Sequence, residues 1–174
     1  MDVRRQVGLV SVIAVLAGAG VLTSAASASI VVGQSIDGVK LGETQAQVRA
    51  QLGKPSYTDP PDSKGNSDWG YTKGLLGRVG FDSTLRVDAV WTASSKQQTS
   101  KGIHTARESG KKTIPGSSLS QVRKAYPNAK CVKGDTIGFK WKFFCELKSR
   151  YLGRVVVTSF AFATTLSEVQ INYA

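Results

Sequence analysis

Apolar and polar residues alternate most cleanly in the second half of the chain. Phe139, Trp141, Phe143, Cys145 and Leu147 alternate with Lys140, Lys142, Phe144 and Glu146, the period-2 pattern of a strand with one buried face. Tyr151 to Phe162 is a long β-rich run, and Val169, Ile171 and Tyr173 mark a last alternating strand. Earlier, Asp68 to Thr72, Gly77 to Asp82 and Leu85 to Thr92 read as shorter strands. In the last of these, Val87, Ala89 and Trp91 alternate with Arg86 and Asp88, which predicts Trp91 on the buried side.

Two stretches switch to helical spacing, and they resemble each other. Gly42-Glu43-Thr44-Gln45-Ala46-Gln47-Val48-Arg49 is echoed by Gly116-Ser117-Ser118-Leu119-Ser120-Gln121-Val122-Arg123. In each, a hydroxyl residue stands three before a glutamine, the signature of a capping box at a helix start. Val48 with Leu52, and Val122 with Tyr126, then share one helical face. Gly53 and Pro55 stop the first helix and Pro127 the second. Weaker echoes follow in the same order, Leu76-Gly77-Arg78-Val79 against Leu152-Gly153-Arg154-Val155. The expected fold is therefore α+β, with two tandem repeats, each a short helical segment followed by an antiparallel three- or four-stranded meander. Residues 29–93 would form the first repeat, the polar stretch 94–112 a connection anchored locally by Ile103, and 113–174 the second repeat. Pro60-Pro61-Asp62-Ser63-Lys64-Gly65-Asn66-Ser67 reads as a loop.

Residues 1–28 read as a secretion signal: Arg4 and Arg5, an apolar stretch from Val7 to Leu22, then Ala26-Ser27-Ala28 as a small-x-small cleavage pattern. The general secretory and twin-arginine routes both stay open. The expectation is an exported protein with no transmembrane segment after cleavage. Its two cysteines, Cys131 and Cys145, lie 14 apart and read as one short-loop disulfide in an oxidising compartment; two buried thiols are the alternative. Charge is uneven: residues 29–110 hold 10 basic and 8 acidic side chains, whereas 111–154 hold 11 basic against 2 acidic. A basic second half can attract an acidic protein or an anionic polymer, or simply keep a face solvated.

The run Gly-x-Thr-x-x-Gln-Val-x-x-x-Leu-Gly-x-Pro from Gly42 to Pro55 resembles the helical signature of two kinds of small bacterial envelope domain. One is the β-lactamase-inhibitor-protein type, the other the small outer-membrane-assembly lipoprotein type. The second copy, with its cysteine pair, is closer to the inhibitor family. That resemblance implies two units in tandem, secretion, and a concave sheet that binds a target enzyme. In the family each unit carries a disulfide, whereas here the first unit has no cysteine, and no inhibitory residue carries over.

No catalytic or metal-ligating set is visible. His104 is the single histidine and lacks partners at zinc-ligand spacing. Gly116-Ser117-Ser118 is explained by capping rather than by a nucleophile elbow. Asp82 and Asp88 are a conceivable acid pair, but flanking carboxylates of this kind read as solvated. No cofactor is expected, and no nucleic-acid motif accompanies the basic region. If the disulfide ties the second helix to the strand, Cys145 faces that helix, and Lys140, Lys142 and Phe144 face away. With Arg150 and Arg154 they would form a partner-binding patch. Trp69 and Tyr71 form a second candidate contact. The expected function is a secreted, non-catalytic, possibly inhibitor-like module that binds a protein of the extracellular space or cell envelope through an exposed sheet face. The alternative is an envelope-associated protein binding anionic wall polymer or lipid through its basic second half.

Overall fold

The structure, a computed structural model, describes residues 29–109, 112–134 and 142–174. The secretion signal, Lys111, Phe139, Lys140 and Trp141 lie outside the described residues. In chain order the elements are β1 (Ile30–Val31), β2 (Ser35–Ile36), β3 (Val39–Lys40), α1 (Gln45–Leu52), β4 (Tyr57–Asp59), β5 (Ser67–Tyr71), β6 (Gly77–Phe81) and β7 (Val87–Thr92). They continue with β8 (Arg107–Ser109), β9 (Lys112–Ile114), α2 (Leu119–Ala125), β10 (Lys130–Lys133), β11 (Phe143–Tyr151), β12 (Arg154–Phe162) and β13 (Leu166–Tyr173).

Both capping boxes form. Thr44 Oγ1 accepts from the Gln47 amide and the Gln47 side chain accepts from the Thr44 amide at 2.8 Å. Ser118 and Gln121 repeat the exchange at 3.2 and 2.7 Å. Each pair satisfies two backbone donors at a helix start, and each helix buries its valine, Val48 or Val122, completely.

The tandem α+β expectation is overturned. The chain is mostly β, 46% strand and 11% helical, and two tandem helix–strand repeats are not evident. The long strands belong to one antiparallel sheet of order β10-β11-β12-β13-β7-β6-β5-β4, while β1-β2-β3 form a sheet of their own. The joint is β13 with β7, where Val169, Gln170, Ile171 and Asn172 pair with Thr92, Trp91, Val90 and Ala89. Each half would otherwise end in an unpaired strand edge; pairing the two edges satisfies both sets of amides and carbonyls. Helices of eight and seven residues are too short to be independent layers and instead patch one side of the sheet.

The N-terminal segment patches the same side. Asp37 and Gly38 both have positive φ, 52° and 80°, as the two-residue turn between β2 and β3 requires. Gly33 N–H donates to the buried Thr158 Oγ1 of β12 at 2.8 Å, and β2 and β3 lie against β7. One buried cluster joins Ile30, Ile36 and Val39 with Val48 and Val122 of the helices and Trp69, Val79, Val90, Ile171 and Phe160 of the sheet.

The polar segment after β7 is not a surface connection. Ser94, Gln97, Thr99, Ile103 and Thr105 are all buried, and Ile30 pairs with Thr99 and donates its amide to Gln98 O at 3.0 Å. Thr99 Oγ1 accepts from the Ile103 amide and Thr105 Oγ1 donates to Ala93 O, so these two hydroxyls exchange solvent for backbone partners, whereas Ser94 Oγ and Gln97 Oε1 are buried without one.

Cys131 and Cys145 are bonded. They sit directly opposite each other in β10 and β11, so the bond ties an edge strand to its neighbour rather than a loop to the sheet. Reducing it, or replacing both cysteines by alanine, is expected to lower unfolding stability by about 3 kcal/mol, as urea titration measures. Hydrogen exchange should rise first in β10, which has a neighbour on one side only.

Candidate functional site

One side of the eight-stranded sheet carries the core; among the described residues the other carries no helix. Strand register fixes which residues reach that outer face. Lys130, Glu146, Ser159, Gln170, Trp91, Arg78, Gly70 and Tyr57 stand in a single row across all eight strands. The next row runs Lys148, Val157, Asn172, Ala89, Gly80, Asp68 and Asp59.

A β-bulge decides the composition of this face. Phe81 pairs with Val87 and Gly80 with Ala89, leaving Asp88 as the extra residue. An inserted residue shifts the side-chain phase by one. Val87 therefore points into the core, but so do Val90 and Thr92, while Ala89 and Trp91 point out. The predicted burial of Trp91 is corrected: it is half-buried and points to the outer face. Trp69 and Tyr71 are corrected in the opposite sense. They are 6% and 5% exposed, with Trp69 edge-to-face on Phe81 at 4.8 Å, and belong to the core rather than to a contact surface.

A cleft of about 760 Å³ opens on the outer face around Trp91, floored by β5, β6, β7 and β13 and walled by the segment between β4 and β5. One glycine, Gly80, lies in its floor, and Gly70 stands beside it. A Cβ on Gly80 would lie 2.9 Å from Asp88 Oδ1 and 3.1 Å from Asp68 Oδ1, so the missing side chain is what lets two carboxylates approach over it. A Cβ on Gly70 would collide with the Tyr57 ring, which lies across it. Arg78 stands beside that ring, 5.6 Å from its centroid, and pairs with Asp59 at 3.5 Å. Glu168 and Gln170 complete the far side.

Burial pushes the Asp68 carboxyl above its ordinary value, partly opposed by Arg78. Burial raises Asp88 and Glu168 too. Asp82, read from sequence as solvated like Asp88, behaves differently. Burial would raise it, but bonds from the Thr84 hydroxyl and the Thr84 and Arg86 amides outweigh that and hold it low. It is a turn-capping residue, whereas Asp68 shares the space over Gly80 with Asp88. Among the described residues no cluster of three or more His, Cys, Asp or Glu could hold a metal.

The predicted basic patch is divided. Lys142 and Arg150 are exposed and Phe144 is half-buried, beside Val132 and Ala161 on the outer side. Arg154 is not with them. It pairs with Tyr151 on the core side and lies 3.5 Å over the Tyr173 ring, because four residues along and across a hairpin return to the opposite face. Lys140 lies outside the described residues. Lys130 and Lys148, exposed on the same outer face as Arg150, were not singled out from sequence; strand parity alone would have found Lys148.

No family model and no curated protein matches the chain. Among solved structures, it is similar to an extracellular protein containing a SCP domain from Bacillus anthracis, at 15% identity and a TM-score of 0.46. The likeness covers 76% of this chain and 43% of that one, so this chain spans less than half the length of that protein. It is also similar to a DUF4309 family protein (YjgB) from Bacillus subtilis, at 13% identity and a TM-score of 0.48, over 82% of this chain and 88% of that one. Neither likeness assigns a function. Among the described residues no helix is long and apolar enough to cross a membrane.

Two outcomes follow from this geometry. Trp69→Ala should cost about 3–5 kcal/mol of stability in chemical denaturation, whereas Trp91→Ala should cost under about 1.5. A carboxyl whose folded pKa is raised favours the fold when protonated and opposes it as pH rises past its unfolded value. Asp88→Asn and Glu168→Gln should therefore raise the melting temperature at pH 7, with the gain vanishing by about pH 3.

Proposed function

We propose that this chain is a secreted, non-catalytic protein-binding module that docks its partner on the outer face of the eight-stranded sheet. The observation that carries the reading is the row across all eight strands that no helix among the described residues covers, with Trp91 and Arg78 at the cleft. A half-buried tryptophan beside an arginine, in a concavity walled by polar groups, is the kind of anchor that dominates protein interfaces. The face also suits the inhibitor-like role implied by the resemblance at Gly42 to Pro55, in which a sheet receives part of a target enzyme. Secretion rests on the N-terminal signal pattern. The contact moves from the basic strand named by sequence toward the cleft, because Arg154, Trp69 and Tyr71 point elsewhere.

A second reading has its own observation. Lys130, Lys142, Lys148 and Arg150 are exposed at the β10–β11 end, which suits an anionic wall polymer of the cell envelope. The two readings separate in one experiment. The immobilised exported chain is challenged with proteins of the culture medium and cell envelope, and separately with purified anionic wall polymer. The expected result is a retained protein whose affinity falls about 30-fold with Trp91→Ala, roughly 2 kcal/mol, and is little changed by Lys148→Glu. Equal retention by wild type and Trp91→Ala removes the proposed face. Polymer retention that disappears between about 0.05 and 0.5 M salt, with no protein retained, establishes the second reading.

A further inference from the structure

The outer face carries opposite charge at its two ends. Asp59, Asp68 and Asp88 occupy the β4–β7 end, where the basic residue Arg78 is held by Asp59 at 3.5 Å. Lys130, Lys148 and Arg150 occupy the β10–β11 end, where Glu146 is the one carboxylate among the described residues of these two strands. The row from Lys148 through Val157, Asn172, Ala89 and Gly80 to Asp68 and Asp59 places both poles on one line with uncharged residues between them.

Symmetry gives that arrangement a consequence. The midline of the eight strands falls between β13 and β7. A second copy turned by two-fold rotation about that midline stacks face on face and lays each acidic pole over the other's basic pole. Rotation about an axis crossing the strands would lay like on like. Under the first operation β5 lies over β11 of the second copy, so Asp68 meets Lys148; β4 lies over β10, so Tyr57 meets Lys130 with Asp59 one row away; and Trp91 of β7 meets Gln170 of β13.

We infer that the outer sheet face is a self-complementary surface on which a second copy of this chain docks, about a two-fold axis parallel to the strands. An isologous contact uses the same patch twice and closes on itself, so it stops at a dimer. With strands about 4.8 Å apart and about 3.3 Å per residue, the face measures on the order of 700 Å², close to the roughly 800 Å² per partner of a standard interface. Trp91, Ala89, Val155 and Val157 supply apolar contact between the charged ends, and the opposite poles set orientation. This inference does not rest on the proposed function: a second copy and a foreign partner would compete for one face.

Charge reversal tests it by sedimentation equilibrium at low salt. One variant carries Asp68→Lys with Asp88→Lys, the other Lys148→Glu with Arg150→Glu; circular dichroism confirms that both fold. The wild-type exported chain is expected to show a monomer–dimer equilibrium that about 0.5 M salt weakens. Each variant alone should associate at least about tenfold more weakly, because its face becomes uniformly charged. An equimolar mixture of the two should recover dimer, since each supplies the pole the other lacks. A wild type that stays monomeric at about 0.2 mM overturns the inference and leaves the face to a foreign partner. Folded variants that still dimerise separately, or whose mixture does not dimerise, overturn it as well.

Discussion

The pairing of β13 with β7 is the constraint on which the rest depends. Four residue pairs, Val169–Thr92 to Asn172–Ala89, turn two short meanders into one eight-stranded sheet. Without that ladder each half would expose an edge with unpaired amides and carbonyls. With it, the apolar faces of both halves lie in one plane, and a single core forms against the helices and the N-terminal sheet. The same ladder places Trp91 and Gln170 side by side, so the outer face is continuous across the joint.

Once the sheet is one layer, its two faces obey opposite rules. The core face tolerates polar groups that find backbone partners: Thr158 takes the Gly33 amide, and Thr92 donates its hydroxyl to the Leu75 carbonyl. The outer face holds carboxylates for which burial outweighs such partners. Asp68, Asp88 and Glu168 are raised by burial, a cost the free chain bears at neutral pH. Groups held at a cost inside a concavity are a mark of binding surfaces, and the glycine floor beneath them, Gly80 above all, is what permits the arrangement.

Local signals in the sequence were read correctly where a few neighbouring residues decide the outcome. The two capping boxes, the stops at Gly53 and Pro127, and the alternation that turns Phe144 away from Cys145 all depend on contacts within a handful of positions. The hairpin at Asp37-Gly38 was equally legible, as an Asp-Gly pair between apolar residues, yet was not used, and β1 to β3 were missed with it. Trp91 was misplaced because a period-2 reading assumes an unbroken strand. The extra residue at Asp88 inverts the phase, and a bulge exists only against a partner strand. Ser94 to Thr105 looked like a linker because composition counts hydroxyls without knowing which backbone groups will receive them.

By itself, then, the sequence determined where helices begin and end, that the chain is rich in strands, that its two cysteines can bond, and that positive charge gathers in its second half. Each of these follows from short-range geometry or from counting. Only the tertiary structure decided that the strands form one sheet rather than two units, that alternate residues of the connecting segment are buried, and that Trp69 and Trp91 exchange the roles their neighbourhoods suggested. Those outcomes rest on pairing between residues far apart in the chain, and alternation along one strand cannot record which edge it will meet or where a bulge will reverse its faces.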